Sequence, residues 1–136
     1  MGLKVPVYGS GKNVRDWIYV LDHCEALKLV LEKGASGEIY NISAGNEYEN
    51  IEVVERILEI MGRDKNLIEF VEDRPGHDLR YSLNSSKIRR ELGWKPSYTF
   101  EHALKKTIEW YLQNERWWKP LANEEVLHPT PWKLKW

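Results

Sequence analysis

Two arginines, each placed beside a turn or a strand, are the residues with the most definite chemistry in this chain. Arg15 precedes Asp16 at the entry to a strand-like run, and Arg74 precedes the pair Pro75-Gly76. Because proline fixes its own φ and glycine supplies freedom next to it, the guanidinium of Arg74 is expected to be pre-organised. The planar guanidinium suits phosphate oxygens better than an ammonium group does. The sequence therefore predicts an anion site, with an exposed ion pair as the alternative for Arg15.

Three more residues are candidates for the same ligand. His77 closes the loop that carries Arg74, although an ordinary loop histidine is the favoured interpretation of this residue alone. Asn50 is predicted to be a helix N-cap, and the free N–H groups of a helix start bind anions. Tyr8 has a ring that could stack on a base, although a tyrosine in a strand more often belongs to the core.

Composition narrows the class of protein. The chain has 136 residues, which is the length of one domain. A net charge of −1 argues against a general nucleic-acid surface. The single cysteine excludes an internal disulfide, and the four histidines show no metal-ligand spacing. Since neither a signal peptide nor a bilayer-spanning apolar run is visible, we expect a cytoplasmic protein without membrane contact.

Hydrophobic periodicity and turn residues predict an α/β lobe of about four helices and four or five short strands. The strands are expected at Val5–Tyr8, Trp17–Val20, Glu38–Ile42, Asn66–Val71 and Leu79–Leu83. The helices are expected to begin at Asp22, Asn50, Ser85 or Ser86, and Thr99, with glycines 34, 62 and 93 ending the first three. Their buried stripes are expected to be Ala26, Leu27, Val30 and Leu31; Ile51, Val54, Leu58 and Met61; and Phe100, Leu104, Ile108, Tyr111 and Leu112.

The C-terminal segment has a different character from the lobe. Proline at positions 120, 129 and 131 predicts an extended tail over residues 119–136, after a lobe of residues 1–118. Four tryptophans are expected to anchor it to the lobe or to a neighbouring chain, in preference to a ligand role: Trp117, Trp118, Trp132 and Trp136.

A dinucleotide site is not expected within this chain. The turn Gly9-Ser10-Gly11 follows a strand but leads to another strand, whereas the G-x-G-x-x-G fingerprint leads to a helix. No P-loop or nucleophile elbow is present either.

In order and over nearly the whole length, the motifs resemble the C-terminal part of dTDP-glucose 4,6-dehydratases, in the extended short-chain dehydrogenase/reductase class. The motifs are Pro6-Val7-Tyr8-Gly9, Arg15-Asp16-Trp17-Ile18-Tyr19-Val20, Gly37-Glu38-Ile39-Tyr40-Asn41-Ile42, Asp73-Arg74-Pro75-Gly76-His77-Asp78 and Glu91-Leu92-Gly93-Trp94. The resemblance implies a nucleotide-sugar-binding lobe. It implies nucleoside contacts from Pro6, Val7 and Tyr8, diphosphate contacts from Arg15 and Arg74, and further substrate contacts from Asn50, Asp73, Pro75, Gly76 and His77.

The resemblance also implies what this chain does not carry. NAD and the catalytic residues belong to a Rossmann domain in such enzymes, so we expect no catalytic residue, cofactor or metal here and no activity of the chain alone. The expected ligand is a dTDP-sugar or another nucleotide diphosphate. A separate Rossmann-domain chain and self-association are the expected partnerships. The alternatives are a stand-alone nucleotide-binding or assembly module, or the matching lobe of a UDP-sugar epimerase or decarboxylase.

Overall fold

The computed structural model describes residues 2–134, which fold as two compact units that alternate along the chain. The first unit comprises Met1–Asn13, Glu49–Leu79 and Lys105–Trp136. The second comprises Val14–Tyr48 and Arg80–Leu104. The predicted α/β class is confirmed, with helices and short strands in both units.

The first unit is built on a parallel pair of strands. Strand β1 (Val5–Tyr8) lies beside β4 (Ile68–Val71), in a register that places Tyr8 opposite Val71. Helix α2 (Asn50–Ile60) buries Val53 and Leu58, and Val7 of β1 is 4% exposed. The strand β1 and the turn after it are as predicted, whereas β4 begins later than expected because a 3-10 helix occupies Lys65–Leu67.

Helix α2 begins differently from the prediction. Its N-cap is Glu49, and the side chains of Glu49 and Glu52 form a reciprocal capping box with the backbone. Asn50 is therefore the first helical residue, and its prediction as the N-cap is wrong. The helix ends as expected, because Gly62 takes a left-handed φ of +60°. Met61, predicted to be buried, is exposed.

The second unit has a helical core. Helix α1 (Val20–Lys33) packs on α3 (Ser86–Leu92) around Ala26, Ile88 and Trp94, all buried. The partly buried side chains around this cluster are Ile18, Leu29, Val30, Tyr40, Ile42 and Leu92. Strand β2 (Val14–Asp16) pairs with β3 (Glu47–Glu49), of which the first two residues belong to this unit.

The start of α1 corrects two predictions. The strand expected at Trp17–Val20 is wrong, since β2 ends at Asp16 and α1 already begins at Val20. Asp22 is not a cap. Its buried carboxylate accepts hydrogen bonds from the backbone N–H groups of Ser97 (2.9 Å) and Tyr98 (3.3 Å). The aspartate thus fixes a distant loop of the same unit.

Two further predictions for this unit are wrong, and a third is right only in part. Residues 38–42 form no strand, and the expected strand at Leu79–Leu83 is reduced to one bridge between Arg80 and Val14. In the predicted stripe of α1, Ala26 is buried and Val30 is partly buried, whereas Leu27 is exposed and Leu31 is 88% exposed. Sequence periodicity identifies the helix here without identifying its buried face.

Helix α4 (Phe100–Gln113) begins after Thr99, whose Oγ1 accepts the N–H of His102 at 3.4 Å. Phe100, Ala103 and Ile108 are buried, whereas Tyr111 and Leu112 of the predicted stripe are exposed. Helix α5 (Glu115–Trp118) follows, and 3-10 turns lie at Lys119–Leu121 and Pro131–Lys133 of the segment expected to be extended. Trp136, a predicted anchor, lies outside the described residues.

Within residues 2–134, every helix is too short or too polar to cross a bilayer.

Candidate functional site

Three predicted site residues converge where β1 and β4 end in the first unit. The Nδ1 atom of His77 lies 2.6 Å from Oδ1 of Asp73. The rings of Tyr8 and His77 meet edge-on, with their centres 6.3 Å apart. The His77 side chain is only 6% exposed although it sits on a loop. The loop after β4 is therefore held against the end of β1 by a histidine that is packed, whereas an ordinary loop histidine would be solvated.

Asp73 organises this loop. Its Oδ1 also accepts the backbone N–H of Arg74 at 2.8 Å. The hydrogen bond from His77 lowers the pKa of Asp73 below its ordinary value of 3.8; desolvation opposes this shift, and Arg74 adds smaller lowering contributions. The carboxylate therefore stays ionised to a lower pH than a free aspartate, and it orients the backbone at Arg74.

The guanidinium of Arg74 is available to a ligand. The residue is exposed, and among residues 2–134 its guanidinium has neither a hydrogen-bond acceptor nor a carboxylate within ion-pair distance. Its backbone is fixed on one side by Asp73 and on the other by the Pro75-Gly76 turn, where Gly76 has a φ of +66°. The predicted turn is confirmed. A guanidinium on such a loop retains its donors for a ligand.

The turn after β1 connects the loop to α2. Gly11 donates its N–H to the carbonyl of Tyr8 (3.0 Å), and its own carbonyl accepts the N–H of Ile51 (3.0 Å). Gly9 has a φ of +56°, and a Cβ on it would lie 2.8 Å from Oδ2 of Asp73. The glycine thus permits a close approach between the turn and the aspartate loop.

The group through which Asn50 could bind a ligand differs from the prediction. Its N–H donates to the carbonyl of Asn13 at 3.0 Å, and the next N–H, that of Ile51, is also paired. The carboxylates of Glu49 and Glu52 both lie at this helix start. The prediction of free N–H groups for an anion here is therefore wrong, and the side-chain amide is the group through which Asn50 could contact a ligand.

Pro6 and Val7, the other predicted ligand contacts in β1, offer less to a ligand than Tyr8 does. Val7 is in the core, where its side chain cannot reach a ligand. Pro6 is half-buried and lies opposite Glu69 in the strand pair. Of the predicted contacts Pro6, Val7 and Tyr8, Tyr8 is thus the one whose aromatic ring could pack against a base.

Arg15 belongs to the second unit. Its Nη1 donates to the carbonyl of Val14 at 2.6 Å, and its Cζ lies 4.4 Å from the centre of the Tyr81 ring. It borders a cavity of about 130 Å³ with Asp16, Ser43 and Ser82 among the other lining residues. The carboxylate of Asp16 accepts the N–H groups of Gly45 and Asn46, so Asp16 holds a loop.

One aromatic residue beside Tyr8 comes from the tail, and the sequence pattern does not predict this contact. The ring of Trp132 lies 4.7 Å from the ring of Tyr8 at an angle of 89°. The tail that carries it is separated from Tyr8 by more than 120 positions, so no spacing rule connects them. Among residues 2–134, no group of three metal-ligating side chains is assembled.

Comparisons with known proteins agree with the motifs. A family model described as GDP-mannose 4,6 dehydratase matches residues 1–107. A dTDP-glucose 4,6-dehydratase from Streptomyces niveus is 47% identical over 130 residues, covering 96% of this chain and 39% of the relative. The chain thus spans well under half the length of this relative.

Two solved structures share the fold. The dTDP-glucose 4,6-dehydratase from Bacillus anthracis, in complex with NAD, matches with a TM-score of 0.84 and 53% identity, over 88% of this chain and 38% of that one. The enzyme from Streptomyces venezuelae, with NAD and TYD bound, matches with a TM-score of 0.85 and 47% identity, over 88% and 37%. The resemblance drawn from the motifs is confirmed. The chain belongs to the family described as GDP-mannose 4,6 dehydratase, and its fold matches the C-terminal part of the dTDP-glucose 4,6-dehydratases.

Proposed function

We propose that this chain binds a nucleotide diphosphate-sugar, with dTDP-glucose as the favoured ligand, as the substrate-binding part of a dTDP-glucose 4,6-dehydratase. The observation that carries the proposal is the exposed guanidinium of Arg74 on a loop that Asp73 and His77 hold beside Tyr8. A guanidinium carried on a fixed backbone suits a diphosphate, and a tyrosine ring suits a planar base. The diphosphate of the ligand would thus contact Arg74, and its base would contact Tyr8.

Each predicted residue then has a role. Arg74 binds phosphate oxygens, Tyr8 contacts the base, and the amide of Asn50 hydrogen-bonds the ligand. Asp73 and His77 position the loop, within which Pro75 and Gly76 form the turn. For Arg15, in the second unit, the proposed role as a second diphosphate contact rests on its motif.

The reaction itself is proposed to need more than this chain. The Streptomyces venezuelae relative holds NAD, and this chain aligns with 37% of it. We propose that NAD and the groups that act on the sugar are held by a Rossmann domain outside these 136 residues. These residues would then bind the substrate, and its conversion would need that domain as well.

The proposal is tested by calorimetric titration of the purified chain with dTDP, UDP and dTDP-glucose. We expect saturable binding of dTDP with a Kd below about 1 mM, and much weaker binding of thymidine, which lacks the phosphates. Tighter binding of UDP than of dTDP would favour a UDP-sugar enzyme. The absence of heat from every nucleotide at millimolar concentration would contradict the proposal.

A further inference from the structure

Asn13 is a buried polar residue that follows the turn after β1. It is 6% exposed, although asparagine is usually found at the surface. Its own carbonyl accepts the N–H of Asn50 at 3.0 Å, and the carbonyl of Gly11 accepts the N–H of Ile51 at the same distance. Two hydrogen bonds therefore hold the backbone around Asn13 against the start of α2.

The side-chain amide of Asn13 reaches the loop that carries Arg74. Its Nδ2 donates to the backbone carbonyl of Asp78 at 3.1 Å, across 65 positions of the chain. Asp78 directly follows His77, so this bond holds the C-terminal end of the loop. Breaking it would leave a buried donor without its partner, which is costly. The three residues that Asn13 connects all belong to the first unit: Asn13, Asn50 and Asp78.

The bond from Asn13 does something that the bonds of Asp73 do not. The carboxylate of Asp73 pairs with the backbone N–H of Arg74 and with the ring of His77. Both partners lie within the loop, so these bonds determine its internal shape. The amide of Asn13 instead joins the loop to the backbone beside α2, and it therefore determines where the loop lies relative to that helix.

We propose that Asn13 is a positioning residue of the nucleotide site. Its carbonyl holds Asn50 and its amide holds the loop of Arg74, so one buried side chain sets the distance between two ligand contacts. It acts through these residues and does not touch the ligand itself. The proposal rests on the proposed function, because Arg74 and Asn50 contact a ligand only under that function.

The test compares dTDP binding by two variants. Asn13→Leu removes the amide and keeps a side chain of similar size. Asn114→Leu is the matched control, because Nδ2 of Asn114 also donates to a backbone carbonyl, that of Trp110 at 2.8 Å, in the same unit but at the end of α4. By calorimetric titration well below the unfolding temperature, we expect Asn13→Leu to weaken dTDP binding about three- to tenfold. Asn114→Leu should lower the unfolding temperature and leave the Kd for dTDP unchanged.

A second measurement needs no ligand. The ¹H–¹⁵N nuclear Overhauser effect reports picosecond-to-nanosecond motion of each backbone amide. In the ligand-free protein, we expect it to fall at Arg74, Gly76 and His77 in Asn13→Leu and to stay at the parent values in Asn114→Leu. If Asn13→Leu does not fold, Asn13→Ser takes its place, since its hydroxyl lies one bond nearer the backbone than the amide nitrogen.

The outcomes separate this inference from the function beneath it. An unchanged Kd for dTDP in the Asn13 variant, or an equal loss in both variants, would overturn the role of Asn13 while leaving the nucleotide site intact. An unchanged Overhauser effect throughout the loop would also overturn it, because the loop would then be fixed without Asn13. Failure of the unaltered protein to bind dTDP would overturn the proposed function, and the positioning role would fall with it.

Discussion

Replacing Gly11 with alanine is expected to lower the free energy of unfolding by about 2–5 kcal/mol. Gly11 has a φ of +71°, a conformation that is strained for a residue with a Cβ. The added carbon would also lie 2.7 Å from Cγ1 of Val7 and 2.9 Å from the Cβ of Ile51, both carbons of β-branched side chains that cannot easily move away. Denaturant unfolding of the two proteins measures the difference.

Gly62→Ala is the matched control for this substitution. Gly62 has a φ of +60° in the same unit, but a Cβ there would meet no atom within 4 Å. Only the backbone strain remains, so we expect a loss of about 1–2 kcal/mol. Equal losses in the two variants would show that the close packing of the turn against β1 and α2 contributes nothing.

Replacing Arg74 with alanine is expected to weaken dTDP binding about 10- to 150-fold. A hydrogen bond to a charged group contributes about 1.5–3 kcal/mol, and each 1.4 kcal/mol corresponds to a factor of ten in Kd. Stability should barely change, because the side chain is exposed and has no ion-pair partner among residues 2–134. Calorimetric titration and thermal unfolding of the same samples give both quantities.

Two further variants distinguish a specific contact of the Arg74 guanidinium from general charge attraction. Arg74→Lys keeps the charge but loses the planar fork, so its affinity should lie between those of the parent and the alanine variant. Arg63→Ala removes an exposed arginine of the same unit that lies outside the loop, and it should leave binding unchanged. If Arg63→Ala and Arg74→Ala weaken binding equally, general charge attraction rather than a contact at Arg74 explains the affinity.

Sequence patterns correctly predict turns and helix ends, because these depend on the conformational preferences of a few adjacent residues. The turn at Gly9 and Gly11 and the helix ends at Gly62 and Gly93 are correct, because each requires a left-handed backbone that glycine supplies. Residues 38–42 look like a strand but form none, because a strand also depends on a partner that its own residues do not specify. The buried face of α1 is likewise decided by what packs on it.

In the candidate site, too, some features follow from the local sequence and others depend on the folded chain. The conformation of the loop at Arg74 follows from its own residues, Asp73 and Pro75-Gly76. The predicted start of α2 is wrong, because the capping box has Glu49 at the N-cap, where the sequence pattern of this motif has serine or threonine. Trp132 reaches Tyr8 only through the folded path of the tail, and sequence spacing contains no information about that path.

A nucleotide diphosphate is proposed to bind at the end of β1 and the Asp73–His77 loop. Two-dimensional amide NMR of the ¹⁵N-labelled chain during addition of dTDP tests it most directly. We expect the largest shifts at the backbone amides of Tyr8, Gly9, Arg74 and His77. Uniformly small shifts, or shifts confined to α1 and α3, would contradict the account.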